Sequence, residues 1–218
     1  MSWLMTAMQE ESSLSMSGGV KDFLHQMVDM MAMTRHKAPD GFEYATAYEY
    51  FLKNGNKFES SPLSEVELGA LKRAIKGHNL KYKPKECFYN AQALAQDNPK
   101  VHYVEGYCFS GLIPFEHAWN AINGKVIDFT MAHSNGGKPI LGEIPSGWEY
   151  FGVEFPTRMV RGLWSRTGYS TPLVSNYGEE FPLLKGNQKK DDRKKEEPKK
   201  EPEVVNTDSQ NQEDAQAI

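Results

Sequence analysis

Two cysteines, Cys87 and Cys108, are all the thiol chemistry that 218 residues supply. That is too few for a disulfide framework. One bridge between them is compatible with the count, but a reduced, cytoplasmic protein is the better reading, and it leaves Cys87 free to react. Cys-x-x-Cys is absent, and His25, His36, His78, His102 and His133 show no paired ligand spacing, so no metal is expected. Neither a Gly-x-x-x-x-Gly-Lys phosphate loop nor a dinucleotide fingerprint occurs, and no cofactor is expected. Charge of one sign is not in excess either. The 25 basic and 29 acidic residues leave a net charge of -4, which gives no electrostatic argument for nucleic acid or an anionic membrane. No apolar run approaches the length of a transmembrane helix. The Trp3–Met8 stretch is short, interrupted and precedes the first basic residue, Lys21, so a secretory signal is not expected.

What is present reads as a single α+β domain between two tails. Residues 1–19 are rich in Met, Ser and Glu without sustained periodicity and are expected to be a mobile arm. From Lys189 to Glu203, 13 of 15 residues are charged and the other two are prolines. Such a stretch cannot bury enough apolar surface to fold, so 186–218 is expected to be a disordered, solubilising tail. Between them, 20–185 carries the domain. Val20, Phe23, Leu24, Met27, Val28 and Met31 keep one apolar face over 20–33. A second helix is expected to carry Tyr44, Tyr48, Phe51 and Leu52. A third opens at Ser61-Pro62 with Ser64 and Glu67 spaced as a capping box, and ends at Gly77. The rhythm then changes: a short helix over 87–96, a strand over 101–109, and a hairpin over 115–130 around Asn123-Gly124. That dipeptide is the strongest short-range hairpin signal, because both turn positions want positive φ. A long loop is expected over 131–147 and a further strand over 148–155; 157–185 shows little regular pattern.

Chemistry concentrates on three residues. Taking Asn123-Gly124 as a two-residue turn sets Trp119 opposite Asp128 and His117 opposite Thr130. All four then share a face, with His117 and Asp128 as diagonal neighbours. A carboxylate there fixes one imidazole nitrogen and leaves the other to take a proton from a thiol. Cys87 stands where Pro84 ends an extended segment and a helix begins, and the unpaired N–H groups of a helix start favour a thiolate and supply half an oxyanion hole. Tyr82 and Asn79, upstream of the thiol, are the candidates for the other half. Trp119 either shields the His–Asp pair from water or is simply core. Acyl transfer by cysteine needs this set: a thiol, a base and a group that orients the base.

The pattern resembles the transglutaminase-like branch of the papain-like superfamily. The resemblance rests on Cys87 with Ala91, Gly106-Tyr107, His117-Ala118-Trp119 and Asp128-Phe129-Thr130, and covers about 80–155. Tyr150 to Phe155 adds a likeness to bacterial and bacteriophage proteins with the same core. What the resemblance implies is a catalytic helix packed on an antiparallel sheet, with Cys87, His117 and Asp128 as a triad. Its expected substrate is a protein or peptide amide, cleaved as by a cysteine protease or amidase, or transferred to an amine. Glu86 before the thiol departs from the small residue usual there. The alternative is a catalytically inactive binding or structural module of the same fold, such as a bacteriophage protein.

Overall fold

The computed structural model describes residues 18–34, 37–78, 82–96 and 98–185, with backbone alone at 77 and 78. Most of the expected N-terminal arm, Asn79 and the charged tail lie outside the described residues. The chain folds as an α+β unit. Helix α1 (Val20–Met33) follows the expected periodicity, but only Val20 and Leu24 on it are fully buried. Helix α2 (Ala47–Asn54) starts later than expected, so Tyr44 precedes it. The reason is a cap: Thr46 Oγ1 accepts the Glu49 N–H at 3.1 Å, and Glu49 accepts the Ala45 N–H at 2.9 Å. This reciprocal pair defines a helix start.

Strand β1 (Asn56–Lys57) is followed by α3 (Glu65–His78). The expected capping box on α3 is present: Ser64 N–H donates to Glu67 Oε2 at 2.7 Å, and Glu67 N–H to Ser64 Oγ at 3.3 Å. The helix therefore opens after Ser64 rather than at Ser61-Pro62, and it runs past Gly77. Next come α4 (Cys87–Ala95), β2 (His102–Phe109), β3 (Phe115–Ile122), β4 (Lys125–Asp128), β5 (Ile140–Leu141), β6 (Glu149–Phe155) and α5 (Thr157–Thr167). Two expectations need correction. Residues 131–147 are not a plain loop, since a 3-10 turn over Thr130–Asn135 leads into β5, which pairs with β4. The segment after 157, left without pattern, opens with α5, packed through Val160 and Leu163.

The strands form an antiparallel sheet of order β1-β6-β2-β3-β4-β5. One face packs against α1, α2, α4 and α5 through Leu24, Phe51, Ala91, Tyr103, Tyr107 and Leu163. The other buries Val104, Cys108, Trp119, Val126, Ile140 and Tyr150. Two glycines permit close approach at the centre. Gly106 and Gly152 are partners across β2 and β6. A Cβ on Gly106 would meet the Phe151 carbonyl at 2.1 Å, and one on Gly152 would meet the Trp119 ring at 2.8 Å.

On the helical face, β2 carries a fully buried acid. Glu105 accepts the Tyr103 hydroxyl at 2.7 Å, the Val174 N–H at 2.9 Å and the Leu173 N–H. Gln92 of α4 holds the same strap from its other end. Its side-chain N–H donates to the Thr171 carbonyl at 2.7 Å, while its oxygen accepts the Trp164 indole at 2.8 Å. Residues 171–175 are thereby tied across the helix that begins at Cys87.

Candidate active site

The Asn123-Gly124 turn sets the geometry of the site. Both residues take positive φ, 51° and 73°, and the register pairs Ile122 with Lys125, Ala121 with Val126 and Asn120 with Ile127. One further step puts Trp119 opposite Asp128, so His117, Trp119 and Asp128 share a face as expected. Thr130, expected opposite His117, instead opens the 3-10 turn after β4 has ended at Asp128, and bonds Asn90. His117 Nε2 lies 2.7 Å from Asp128 Oδ2, with both side chains nearly inaccessible to water.

Asp128 is held from several sides. Its Oδ1 accepts the N–H groups of Thr130 at 2.8 Å and Met131 at 3.0 Å, and Oδ2 accepts the Tyr150 hydroxyl at 3.0 Å. Burial works to raise its pKa. Attraction to His117 and these hydrogen bonds outweigh burial and hold the carboxyl below its ordinary range. For His117 the balance mirrors this. Burial works to lower its pKa, while the Asp128 charge and hydrogen bond, together with Cys87, push it up. The pair is therefore an ion pair through the neutral range. A carboxylate on Nε2 leaves Nδ1 as the nitrogen facing the thiol.

Cys87 is half-buried at the first position of α4, and its side chain lies close enough to His117 to help push the imidazole pKa up. The helix begins abruptly. Lys85 adopts a left-handed φ of 65°, a conformation that costs a non-glycine residue about 1 kcal/mol. Glu86 occupies the cap position without a side-chain cap, and the first intrahelical bond runs from Asn90 N–H to its carbonyl at 2.9 Å. The amides of the first turn, that of Cys87 included, precede this bond and have no carbonyl of their own helix to receive them. Glu86 points to solvent and pairs with Lys83 at 3.4 Å, which offsets its charge beside the thiol.

Trp119 stacks on the His117 ring with centroids 6.1 Å apart and is almost fully buried. It shields the pair and fills the core at once. Tyr82 stacks on Phe129 at 4.4 Å, and its hydroxyl is buried with no hydrogen-bond partner among the described residues. It lines a cavity of about 10 Å³ with Asn90, Asp128 and Thr130, on the Asp128 side of the site. Burial pushes its phenol well above the ordinary range. Asn79, the other oxyanion candidate, lies outside the described residues. Cys108 is fully buried on β2, with its thiol pushed up to about 12 by burial.

Two supporting residues escaped the sequence reading. Tyr150 bonds Asp128 and also meets Cys108; its position two residues before Gly152 on β6 is the available hint. Asn90 is a buried polar residue one helical turn after Cys87. It accepts the Lys83 N–H at 2.9 Å and donates to the Lys83 carbonyl at 2.8 Å and to Thr130 Oγ1 at 3.0 Å. It thus splints the segment before the thiol to the strand end that carries Asp128. Replacing Asn90 with Ala removes the partner of the Lys83 N–H and leaves the Lys83 carbonyl only the 3.3 Å bond from Glu86 N–H. It is expected to cost about 1–3 kcal/mol in urea unfolding and to slow Cys87 alkylation.

Compared with known proteins, the chain matches no family model, no curated protein and no solved structure. Among the described residues, no helix is long and apolar enough to cross a membrane.

Proposed function

We propose that the chain is a thiol-dependent acyl-transfer enzyme acting on amides, with a transglutaminase-like core. One observation carries this reading: a half-buried thiol at a helix start lies beside an imidazole whose Nε2 is bound to a buried, multiply anchored carboxylate. In the reaction, the Cys87 proton already rests on His117 Nδ1, and the sulfur attacks the amide carbonyl as a thiolate held beside the imidazolium. The imidazolium then gives that proton to the departing nitrogen, leaving a thioester on Cys87. Water or an amine, deprotonated by His117, releases the acyl group and restores the thiol. Hydrolysis is favoured, since water needs no binding site. Asp128 holds the tautomer and stabilises the imidazolium without itself taking the proton. Amides of the first turn of α4 supply one donor to the oxyanion; the Tyr82 hydroxyl, buried on the Asp128 side, does not reach it.

Alkylation rates test the reading. At neutral pH, iodoacetamide is expected to label Cys87 at least about tenfold faster than the buried Cys108. His117→Gln keeps an N–H for Asp128 but removes the base, and is expected to slow Cys87 labelling to the rate of an ordinary peptide thiol. A Cys87 that already reacts at that rate in the wild type would make it a structural residue and leave the non-enzymatic module as the reading.

A further inference from the structure

Large apolar side chains exposed to water are few among the described residues, and three of them stand at one end of the sheet. Leu112 and Ile113, 88% and 63% exposed, form the tip of the β2–β3 connection. His117 follows Ile113 by four residues, so the tip lies within about 14 Å of His117 along the backbone. Phe115, between them, packs edge-on against the His117 ring at 5.7 Å. Tyr177, 83% exposed, opens a 3-10 turn two residues beyond Ser175 at the end of the strap, within about 7 Å of that residue along the backbone. Ser175 Oγ donates to Glu116 Oε1 at 2.7 Å, which fastens the strap beside the residue that precedes His117. Two segments distant in sequence thus bring apolar groups to the strand end where the Cys87 thiol meets His117.

Their position separates them from apolar residues that are merely exposed. Solvated aliphatic side chains on a loop tip contribute nothing to the core and are disfavoured in water. At the rim of a reactive centre, loops on a rigid scaffold carry specificity. Of the neighbouring charges, Lys83 pairs with Glu86, while Glu116 accepts the Ser175 hydroxyl and keeps its negative charge, which disfavours an acidic donor. Lys85, exposed beside the thiol, offers the competing recognition of an acidic group.

We propose that the acyl donor is a polypeptide with an aliphatic or aromatic side chain next to the reacting amide, held by Leu112, Ile113 and Tyr177. This inference rests on the acyl-transfer reading above. Such a donor covers the three exposed residues while its amide carbonyl sits between the sulfur and the first-turn amides of α4. A small charged amide covers none of them.

The test uses the full chain and three thiol reagents. Two are peptidyl acyloxymethyl ketones that differ only in carrying Leu or Asp next to the ketone; each forms a thioether with Cys87 as its carboxylate leaves. The third is iodoacetamide, which has no side chain to recognise. The Leu reagent is expected to label Cys87 at least about tenfold faster than the Asp reagent, equivalent to ~1.4 kcal/mol. The exposed double substitution L112D/I113D is expected to shrink that preference to about threefold or less and to leave iodoacetamide labelling unchanged. Equal labelling by the two ketones, faster labelling by the Asp reagent, or a Leu preference that survives L112D/I113D would overturn the proposal with the acyl-transfer reading intact. A wild-type Cys87 inert to iodoacetamide would instead bring down the acyl-transfer reading, and this inference with it.

Discussion

Cys87→Ala is expected to reduce amide turnover by roughly 10⁴-fold or more while leaving the unfolding free energy within about 1 kcal/mol of wild type. The two halves of this prediction come from different parts of the structure. In the proposed reaction the sulfur is the only group of the triad that bonds to carbon, so its loss leaves just binding and oxyanion stabilisation. Stability depends little on it. The side chain is half-buried, its helix position suits alanine, and the buried partners of Asp128 remain in place. His117→Ala makes the contrast. It abolishes activity too, but it strands Asp128 as a buried charge without its ion-pair partner, at a cost of about 3–5 kcal/mol. Circular dichroism and urea titration separate the variants. A Cys87→Ala protein that is folded and retains its biological effect would mark the chain as a binding module in which the triad is a relic.

How far the site was legible follows from which interactions are local. His117 and Asp128 were readable because one dipeptide decides their relation: Asn123-Gly124 makes a two-residue turn, the turn sets the register, and the register places both residues on one face. The position of Cys87 was readable from Pro84 and the change of rhythm after it. Tyr150 and Asn90 were not. Tyr150 reaches Asp128 from β6, 22 residues away in sequence, and no local pattern announces a contact of that kind. Asn90 looks like an ordinary polar residue within a helix until its partners, Lys83 and Thr130, are brought together by the fold. The late start of α2 was in principle visible as Thr46 and Glu49 at capping-box spacing; the run of aromatics from Tyr44 masked it. Helix α5 keeps a regular apolar face, with Thr157, Val160 and Leu163 buried and Arg158, Arg161 and Arg166 exposed, but the span is too short for that face to stand out in the sequence. Its ends were better marked than its middle, by Pro156 before it and by Gly168, at a φ of 75°, after it. The β4–β5 pairing rests on two-residue contacts that no periodicity can reveal.

Stability is expected to fall between about pH 4.5 and pH 7, and Glu105 is the reason. Burial dominates its environment and raises its pKa from 4.5 to about 7, against the opposing hydrogen bonds from Leu173, Tyr103 and Val174; the nearby charge of Glu116 adds to the rise. The folded state therefore holds a proton that the unfolded chain has already released in this window. Where the native state binds more protons, stability decreases as pH rises. A rise of this size, from 4.5 to about 7, corresponds to a loss of about 3 kcal/mol across the window, complete once Glu105 is ionised in both states. Neither member of the His117–Asp128 pair obscures it. Asp128 is shifted below its ordinary range, so its contribution is lost only in more acidic solution. His117 is shifted up, so its contribution starts to be lost above about pH 6.5, but equally in the wild type and in any variant that changes Glu105 alone. Glu105→Gln removes the titration. Its amide cannot accept both strap N–H groups, which costs about 1–3 kcal/mol equally at every pH. The slope of stability against pH, not its level, is thus the informative quantity. Urea unfolding from pH 4 to pH 8 should give converging curves, with the wild type losing its advantage over Glu105→Gln as the pH rises. Hydrogen exchange at Leu173 and Val174 should quicken over the same range, because those amides are released when the buried carboxylate becomes costly to keep charged. A constant gap between the two proteins across the range would show that Glu105 is ionised throughout, and that its three donors outweigh its burial.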